Sequence, residues 1–567
     1  MKRSKARLIL AILVLIAIAP NVVLDAQEVE KPILVILVSI DGCRWDYLNA
    51  ASTPNIDALR DKGSYVVRAV TAFPSLTQTG HASIITGAYP AQHGIVGNLY
   101  YDRSRGREFR WSPEDLNATT LLEHLSRYGF KTASVLFPMS KGANIVVTRE
   151  HIPEFVAQEL GPIPSDAVQR DYWILRAAIL ILERENPDVL LLHFKSIDAL
   201  GHKYGPESLE VVNAVEHVDS LIGQLVKWIE DKGLLAHTLF FITADHGMTM
   251  IEEAVPLRAI LHKAGFKSYV TYEGRISKIY LSQDDDLEEL VKFLRGLEGV
   301  SEVITRDRFQ EFNLPAWSDK AGDVIVVSSE GRMFTGTMEK LGQHGGLTEW
   351  DLRIPLILSG PGVPASKAVR EASVVDIVPT ICHLLGLPAP ETAVGQPITE
   401  YEDPLPLEAE DRVRVAGLTL SSMEGKCDLS LAEEALEQAK ANIGSGDYLS
   451  AVEAATRAIK LAKSSLRAAH AISTAEQAIE IARKEGRISG LDEAELKLSE
   501  ASSAYSAGDY SRAKLLADEA LNLAEKATAP EIPLLRGKSL MLVVVVMVVV
   551  GGISYTYYSK KSREKKR

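Results

Sequence analysis

At 567 residues the chain exceeds what a single hydrophobic core ordinarily organises, so at least two folded units are expected. Hydrophobic residues make up 46% and charged residues 24%, a globular balance, and the formal net charge of −13 excludes a surface built to neutralise nucleic acid, so no nucleic-acid binding is expected. The three cysteines, Cys43, Cys382 and Cys427, are too scattered for a disulfide framework or a thiolate metal site.

The chain opens with Lys2, Arg3, Lys5 and Arg7, then an apolar run over 8–19 and a small-residue site near Ala26. This is the layout of a secretory signal peptide over 1–26, with an uncleaved anchor as the alternative, and the run is short for a bilayer span. From 30 to 400, apolar runs at 33–40, 132–136, 189–194, 238–243, 323–327 and 354–358 read as strands. Several lack polar alternation, as strands covered on both faces do. Helical stretches separate them: over 53–62, Thr53 stands at the cap position, Pro54 in the first turn and Gly63 at the end. The pattern is α/β with a mostly parallel sheet flanked by helices. Residues from about 252 to 320 mix short helices and strands without a chemical motif and read as a small α+β insertion. A Pro- and Glu-rich surface wrap is expected from 388 through Pro406.

Residues 428–528 turn to Ala, Glu, Lys and Leu at helical spacing, an all-α module. Gly446-Asp447-Tyr448, followed by Ala455, Ala458 and Ala462, recurs as Gly508-Asp509-Tyr510 with Ala517, Ala520 and Ala524. The repeat resembles tetratricopeptide-like helical hairpins and suits a spacer or a docking module for an unidentified protein partner. An apolar segment at 539–558 is long enough for one transmembrane helix, and the basic tail 559–567 places that end in the cytoplasm. The expected location is therefore the cell membrane, with a single C-terminal pass and the catalytic domain extracytoplasmic.

Five separated segments carry metal-ligand and nucleophile chemistry. They are Ile40-Asp41-Gly42; Phe73-Pro74-Ser75-Leu76-Thr77, running on to His81 and His93-Gly94; Asp198-Ala199-Leu200-Gly201-His202; Thr243-Ala244-Asp245-His246-Gly247; and Gln343-His344-Gly345-Gly346. Singly each is weak, since Asp-Gly at a strand end is usually a turn. Jointly they supply three aspartates, three histidines and a hydroxyl, and zinc takes both imidazole nitrogen and carboxylate oxygen. His81, His93, His193 and His217 lie in helical or apolar contexts and read as core or supporting positions.

In this order the segments resemble the type I phosphodiesterase/nucleotide pyrophosphatase family of the alkaline phosphatase superfamily, over roughly residues 32–390. The resemblance implies an alkaline-phosphatase-like fold and two divalent metal ions, most readily Zn2+, sharing one phosphate. It makes Asp198, His202 and His344 the first metal set, and Asp41, Asp245 and His246 the second. Thr77 is then the nucleophile, itself bound to metal, and Asn98 the residue that hydrogen-bonds the phosphate. Arg44, Pro74, Thr86-Gly87 and Pro90 fit the pattern as structural residues. Gln78-Thr79-Gly80-His81 replaces the Phe-Pro-Asn-His common in the family, which bears on nucleotide specificity and leaves the metal set intact.

The chemistry follows from the residue types. A threonine hydroxyl needs metal coordination to attack phosphorus at neutral pH, and a second metal-bound water can hydrolyse the resulting phospho-threonine. Thr79 is the nearest rival nucleophile, and the motif match favours Thr77. The substrate is a phosphate ester, with nucleotides among the candidates. The alternatives are a phosphomonoesterase or phosphonate hydrolase of the same superfamily and, in a different class, a surface binding or scaffold protein with a degenerate enzyme domain. A sulfatase would need Cys or Ser followed by Pro and Arg at the nucleophile, which Ser75-Leu76-Thr77 does not supply.

Overall fold

A computed structural model describes residues 32–282 and 286–528. The chain divides into two compact units, Met1–Leu407 and Glu408–Arg567. The first is built on a nine-stranded sheet. Its spatial order is Arg353–Ile354, Ser64–Val70, Leu356–Ser359, Thr238–Thr243, Leu34–Ile40, Val189–Phe194, Thr132–Val135, Ile145–Val147, with Lys367–Ser373 also pairing Ser64–Val70. Every residue of Leu34–Ile40, Val189–Phe194 and Thr238–Thr243 is buried, which is why these runs carry no polar alternation.

The sheet is mixed, with five of its eight strand pairings parallel, as expected for a mostly parallel sheet. Its centre is parallel, Leu34–Ile40 lying between Val189–Phe194 and Thr238–Thr243. Leu356–Ser359 runs antiparallel to both Thr238–Thr243 and Ser64–Val70. The reason is topological: the chain leaves His344 at the carboxyl ends of the parallel strands, so its next strand must run away from that end. The run expected at 354–358 is split at Pro355, which has no N–H to give to a ladder, into Arg353–Ile354 and Leu356–Ser359.

The run expected at 323–327 as part of the same sheet lies elsewhere. Val324–Ser328 belongs to a separate four-stranded antiparallel sheet, ordered Tyr269–Glu273, Ile276–Tyr280, Val324–Ser328, Val300–Thr305. Helices Leu257–Ala264 and Leu287–Arg295 pack Leu257, Leu261, Leu290 and Leu294 into its own core. A third, three-stranded sheet joins Gly331–Phe334, Thr249–Val255 and Gly342–Gln343. It pairs Thr249 with Gln343, which draws the segment after His246 against the segment before His344.

In the second unit, helices Ser430–Ser445, Tyr448–Lys484, Leu491–Ser506 and Tyr510–Lys526 pack through alanines, among them Ala439, Ala455, Ala458, Ala517 and Ala520, all at 2% exposure or less. Asp447 and Asp509, the repeated aspartates, each cap the following helix through the backbone N–H of Ser450 and Arg512. A helix over Pro404–Met423 occupies the end of the segment expected to be a surface wrap; Pro404 and Pro406 sit in its first turn, where a missing N–H costs nothing. The segments expected as signal peptide (1–26), transmembrane helix (539–558) and basic tail (559–567) lie outside the described residues. Among the described residues no helix is long and apolar enough to cross a membrane.

Candidate active site

Three parallel strands end level with one another. Ile40 is paired with Phe194, and Ser39 with Thr243, so Asp41, Asp198 and Asp245 emerge at one edge of the sheet. Ligands in such sheets bind outside the carboxyl ends of the strands. Asp198 lies in the first turn of helix Ser196–Tyr204, and His202, four residues on, shares its face. The Thr249–Gln343 pairing delivers His344 beside His246, their rings stacked with centroids 3.5 Å apart and planes 13° from parallel.

The structure thereby brings all six sequence-selected ligand candidates together, in two groups. Asp198, His202 and His344 form one, and Asp41, Asp245 and His246 the other, each with potential ligand atoms within 4.8 Å of one another. Each histidine spends its Nδ1 on a backbone carbonyl: His202 on Gly342 (2.8 Å), His246 on Gly247 (2.8 Å) and His344 on Ser75 (3.0 Å). A carbonyl can only accept, so Nδ1 carries the proton and Nε2 is the nitrogen left for a metal ion. Those Nε2 atoms face carboxylate oxygens. His202 and His344 lie 3.2 and 3.5 Å from Asp198 Oδ1, and His246 lies 3.3 and 3.4 Å from Asp41 Oδ1 and Asp245 Oδ2. Two atoms each about 2.0–2.1 Å from a tetrahedral ion stand about 3.3 Å apart, so these spacings suit ligands of a shared cation.

The same carboxylate oxygens, Asp41 Oδ1, Asp198 Oδ1 and Asp245 Oδ2, are buried and receive no hydrogen bond among the described residues. Buried acceptors without donors are costly and call for a cation. In the metal-free chain burial pulls the His246 imidazole down, but the carboxylates of Asp245 and Asp41 outweigh it and push its pKa up to about 10. His344 is held well below the usual histidine value by burial and by the neighbouring His246 and His202, as suits a neutral ligand.

Thr77 begins helix Thr77–Thr86, with Oγ1 3.3 Å from His246 Nε2. The helix lies directly on the Asp245 backbone because residue 80 is glycine; a Cβ there would come within 2.3 Å of the Asp245 carbonyl oxygen. Asn98 completes this edge, its Oδ1 accepting the backbone N–H of Gln78 at 3.0 Å and leaving its amide N–H groups for a ligand. Thr79 is otherwise engaged: fully buried, its hydroxyl accepts the Gly97 N–H (2.7 Å) and reaches the Ile95 carbonyl (3.4 Å).

His81 and His193, expected as core or supporting positions, support this cluster together with Lys195, which lies outside the sequence motifs. Lys195 donates to Asp41 Oδ2, and His193 Nε2 lies 3.0 Å from the same oxygen. Burial alone would raise the Asp41 carboxyl, yet the Lys195 ammonium and the His193 contact hold it well below the usual carboxylate range. His81 is set against Asp245 Oδ2 (3.3 Å) and the Thr77 carbonyl (2.8 Å). His81, His193 and Asp245 form a third potential ligand group; because it overlaps the second at Asp245, we read its histidines as braces. Their spacing held a signal: His81 is one helical turn after Thr77, and His193 and Lys195 sit where the strand before Asp198 ends. Cys43 and Cys382 are fully buried, burial pushes the Cys382 thiol up to about 12, and neither belongs to a potential ligand group among the described residues.

Residues 35–349, more than half of the chain, match the family described as Type I phosphodiesterase / nucleotide pyrophosphatase. The chain is 25% identical over 417 residues to ectonucleotide pyrophosphatase/phosphodiesterase family member 7 of Rattus norvegicus, covering 70% of this chain and 92% of that protein. Among solved structures it resembles phosphonoacetate hydrolase from Sinorhizobium meliloti, with 26% identity and a TM-score of 0.53 over 63% of this chain and 96% of that one. It also shares the fold of the alkaline phosphatase PafA, with 19% identity and a TM-score of 0.57 over 66% of this chain and 99% of that one.

Proposed function

The chain belongs to the type I phosphodiesterase/nucleotide pyrophosphatase family, hydrolases of phosphoester bonds, and from that premise we propose that it cleaves phosphodiesters or phosphoanhydrides with two divalent metal ions, zinc for preference, through a phospho-threonine on Thr77. One observation carries the reading: beside Thr77, imidazole Nε2 atoms whose Nδ1 partners are backbone carbonyls face buried carboxylate oxygens that lack donors. Asp198, His202 and His344 would hold one ion, and Asp41, Asp245, His246 and the Thr77 hydroxyl the other. Ions so held would activate the hydroxyl and a water and neutralise charge on the phosphate.

The protein's own part is positional. The Thr77 oxygen forms a bond to phosphorus as the bond to the leaving oxygen breaks on the opposite side, and water then cleaves the phospho-threonine and restores the hydroxyl. The start of the Thr77 helix carries the positive end of its dipole toward the anion. Asn98 donates to a phosphate oxygen, and Lys195 and His193 fix the orientation of Asp41.

A second reading, phosphonate hydrolysis, is favoured by the likeness to phosphonoacetate hydrolase. Parallel turnover of bis(p-nitrophenyl) phosphate, p-nitrophenyl phosphate and phosphonoacetate separates them. Preference for the diester supports the first reading; preference for the phosphonate replaces it.

The enzyme works outside the cytoplasm on this reading, anchored by 539–558, with the helical module as a spacer or docking element for a protein partner. The supports are the basic, apolar and small-residue order of 1–26 and the basic tail after the apolar segment. Truncation near Leu407 then yields a soluble, active hydrolase, and external protease degrades the catalytic region of intact cells. Protection of that region in sealed cells contradicts the orientation.

A further inference from the structure

The four-stranded sheet that reads in sequence as an insertion without chemistry ends in a hairpin turn, Glu273-Gly274-Arg275, between Tyr269–Glu273 and Ile276–Tyr280. That turn meets the site at two places. On one side, the buried Glu273 accepts the backbone N–H groups of Asn98 and of Leu99 (2.9 Å) with a single oxygen, Oε2. Its other oxygen lies 2.6 Å from Lys278 Nζ. Lys278, fully buried, donates in turn to the carbonyls of Val96 (2.5 Å) and Leu99.

One carboxylate–ammonium pair therefore satisfies four backbone groups of residues 96–99. The contact is close enough that a Cβ on Gly97, whose φ is +85°, would stand 2.5 Å from Glu273 Oε2. On the other side, the Arg275 N–H donates to the His344 carbonyl at 3.0 Å, and a Cβ on Gly274 would lie 2.6 Å from that same oxygen. The Arg275 guanidinium pairs with Asp351 and approaches the hydroxyls of Thr249 and Thr348 at 3.2 Å.

We infer that Glu273, with Lys278, is a positioning residue for Asn98, so that the hairpin tip of this small sheet is a working part of the active site. The inference rests on the proposed role of Asn98 toward phosphate. Physically, the stretch between Gly94 and Gly97 has two left-handed glycines and would sample many conformations unaided. Asn98 can meet a phosphate oxygen only when its own backbone is fixed. The Gln78 bond orients the side chain and the Glu273 bonds orient the main chain, and both are needed. Supporting contacts of this kind change activity by about ten- to a hundredfold when removed.

The test is a double-mutant cycle in the full chain: wild type, Glu273→Gln, Asn98→Ala and the double variant. Each is assayed for kcat and KM with bis(p-nitrophenyl) phosphate, for bound metal, and for amide hydrogen exchange at Asn98 and Leu99. Glu273→Gln should lower kcat about tenfold with unchanged metal content and faster exchange at those two amides. In the Asn98→Ala background the same substitution should change kcat by less than about twofold. A tenfold loss persisting in that background, or unchanged exchange at both amides, overturns the inference.

Removing one partner can leave the buried Lys278 uncompensated and destabilise the fold. In that event the charge-free pair Glu273→Gln/Lys278→Met enters the same cycle, and the same cancellation decides. A wild-type chain that leaves the diester untouched sinks the functional reading instead, while the exchange measurement still decides whether Glu273 holds this loop.

Discussion

The side-chain oxygen of Asn98 accepts the backbone N–H of Gln78 at 3.0 Å, which ties Asn98 to the residue after Thr77. The proposed nucleophile and the proposed phosphate donor are therefore linked by one hydrogen bond. Asn98→Ala should lower kcat about a hundredfold while bound metal stays constant, because a transition-state hydrogen bond is lost and no metal contact is. Steady-state kinetics with metal analysis checks this, and loss of metal alongside activity would place Asn98 in the metal cage instead.

Thr77 and Thr79 differ in surroundings more than in sequence. Thr77 is half-buried beside His246 Nε2, whereas the Thr79 hydroxyl is spent on Gly97 and Ile95. Thr77→Ala should reduce turnover about a thousandfold or more with metal retained, a loss of about 4 kcal/mol in barrier. Thr79→Ser, which keeps the buried hydroxyl, should stay within about tenfold of wild type. The reverse order of effects would reassign the nucleophile.

Each metal group should fail separately. His344→Ala removes one of three candidate ligands from the group of Asp198 and His202, and Asp245→Ala one from the group of Asp41 and His246. Each variant should bind about one metal equivalent fewer than wild type and lose most of its activity, as read by elemental analysis of the purified chain. Full metal content in both variants would break the grouping.

His93, which belongs to none of the potential ligand groups, supplies a pH dependence of its own. Its Nδ1 accepts the Ile95 N–H at 3.1 Å and its Nε2 lies 3.0 Å from Ser83 Oγ. Burial pulls its pKa down to about 3. Between about pH 6.5 and 3 the unfolded chain takes up a proton at His93 that the folded chain refuses, so stability falls as the pH is lowered through that window. One such proton contributes a slope of about 1.4 kcal/mol per pH unit. Urea unfolding between pH 7 and 5 should show a shallower slope for His93→Gln than for wild type; identical slopes would contradict the assignment.

Asp41 and Asp245 just past their strands and the Asp198–His202 pair were legible because each signal is local: an apolar run followed closely by a carboxylate, and a four-residue helical spacing. The edge of the sheet was not. Ser64–Val70 is half-buried with Tyr65 and Arg68 interleaved, and its register depends on Leu356–Ser359, nearly 300 residues away. The supports of the site were hidden for the same reason. Lys195 meets Asp41 across 154 residues and Glu273 meets Asn98 across 175, so only folding reveals either pairing. Asp323 and its strand misled because an apolar run reads alike in a central and a peripheral sheet.

On the proposed mechanism, activity depends on metal held by the two residue groups around Thr77. The most direct measurement strips the purified chain with a chelator, then adds zinc in steps while bound metal and bis(p-nitrophenyl) phosphate turnover are followed in the same sample. Turnover should be negligible in the stripped chain and should recover completely at about two equivalents per chain. Full-rate turnover by the metal-free chain would contradict it.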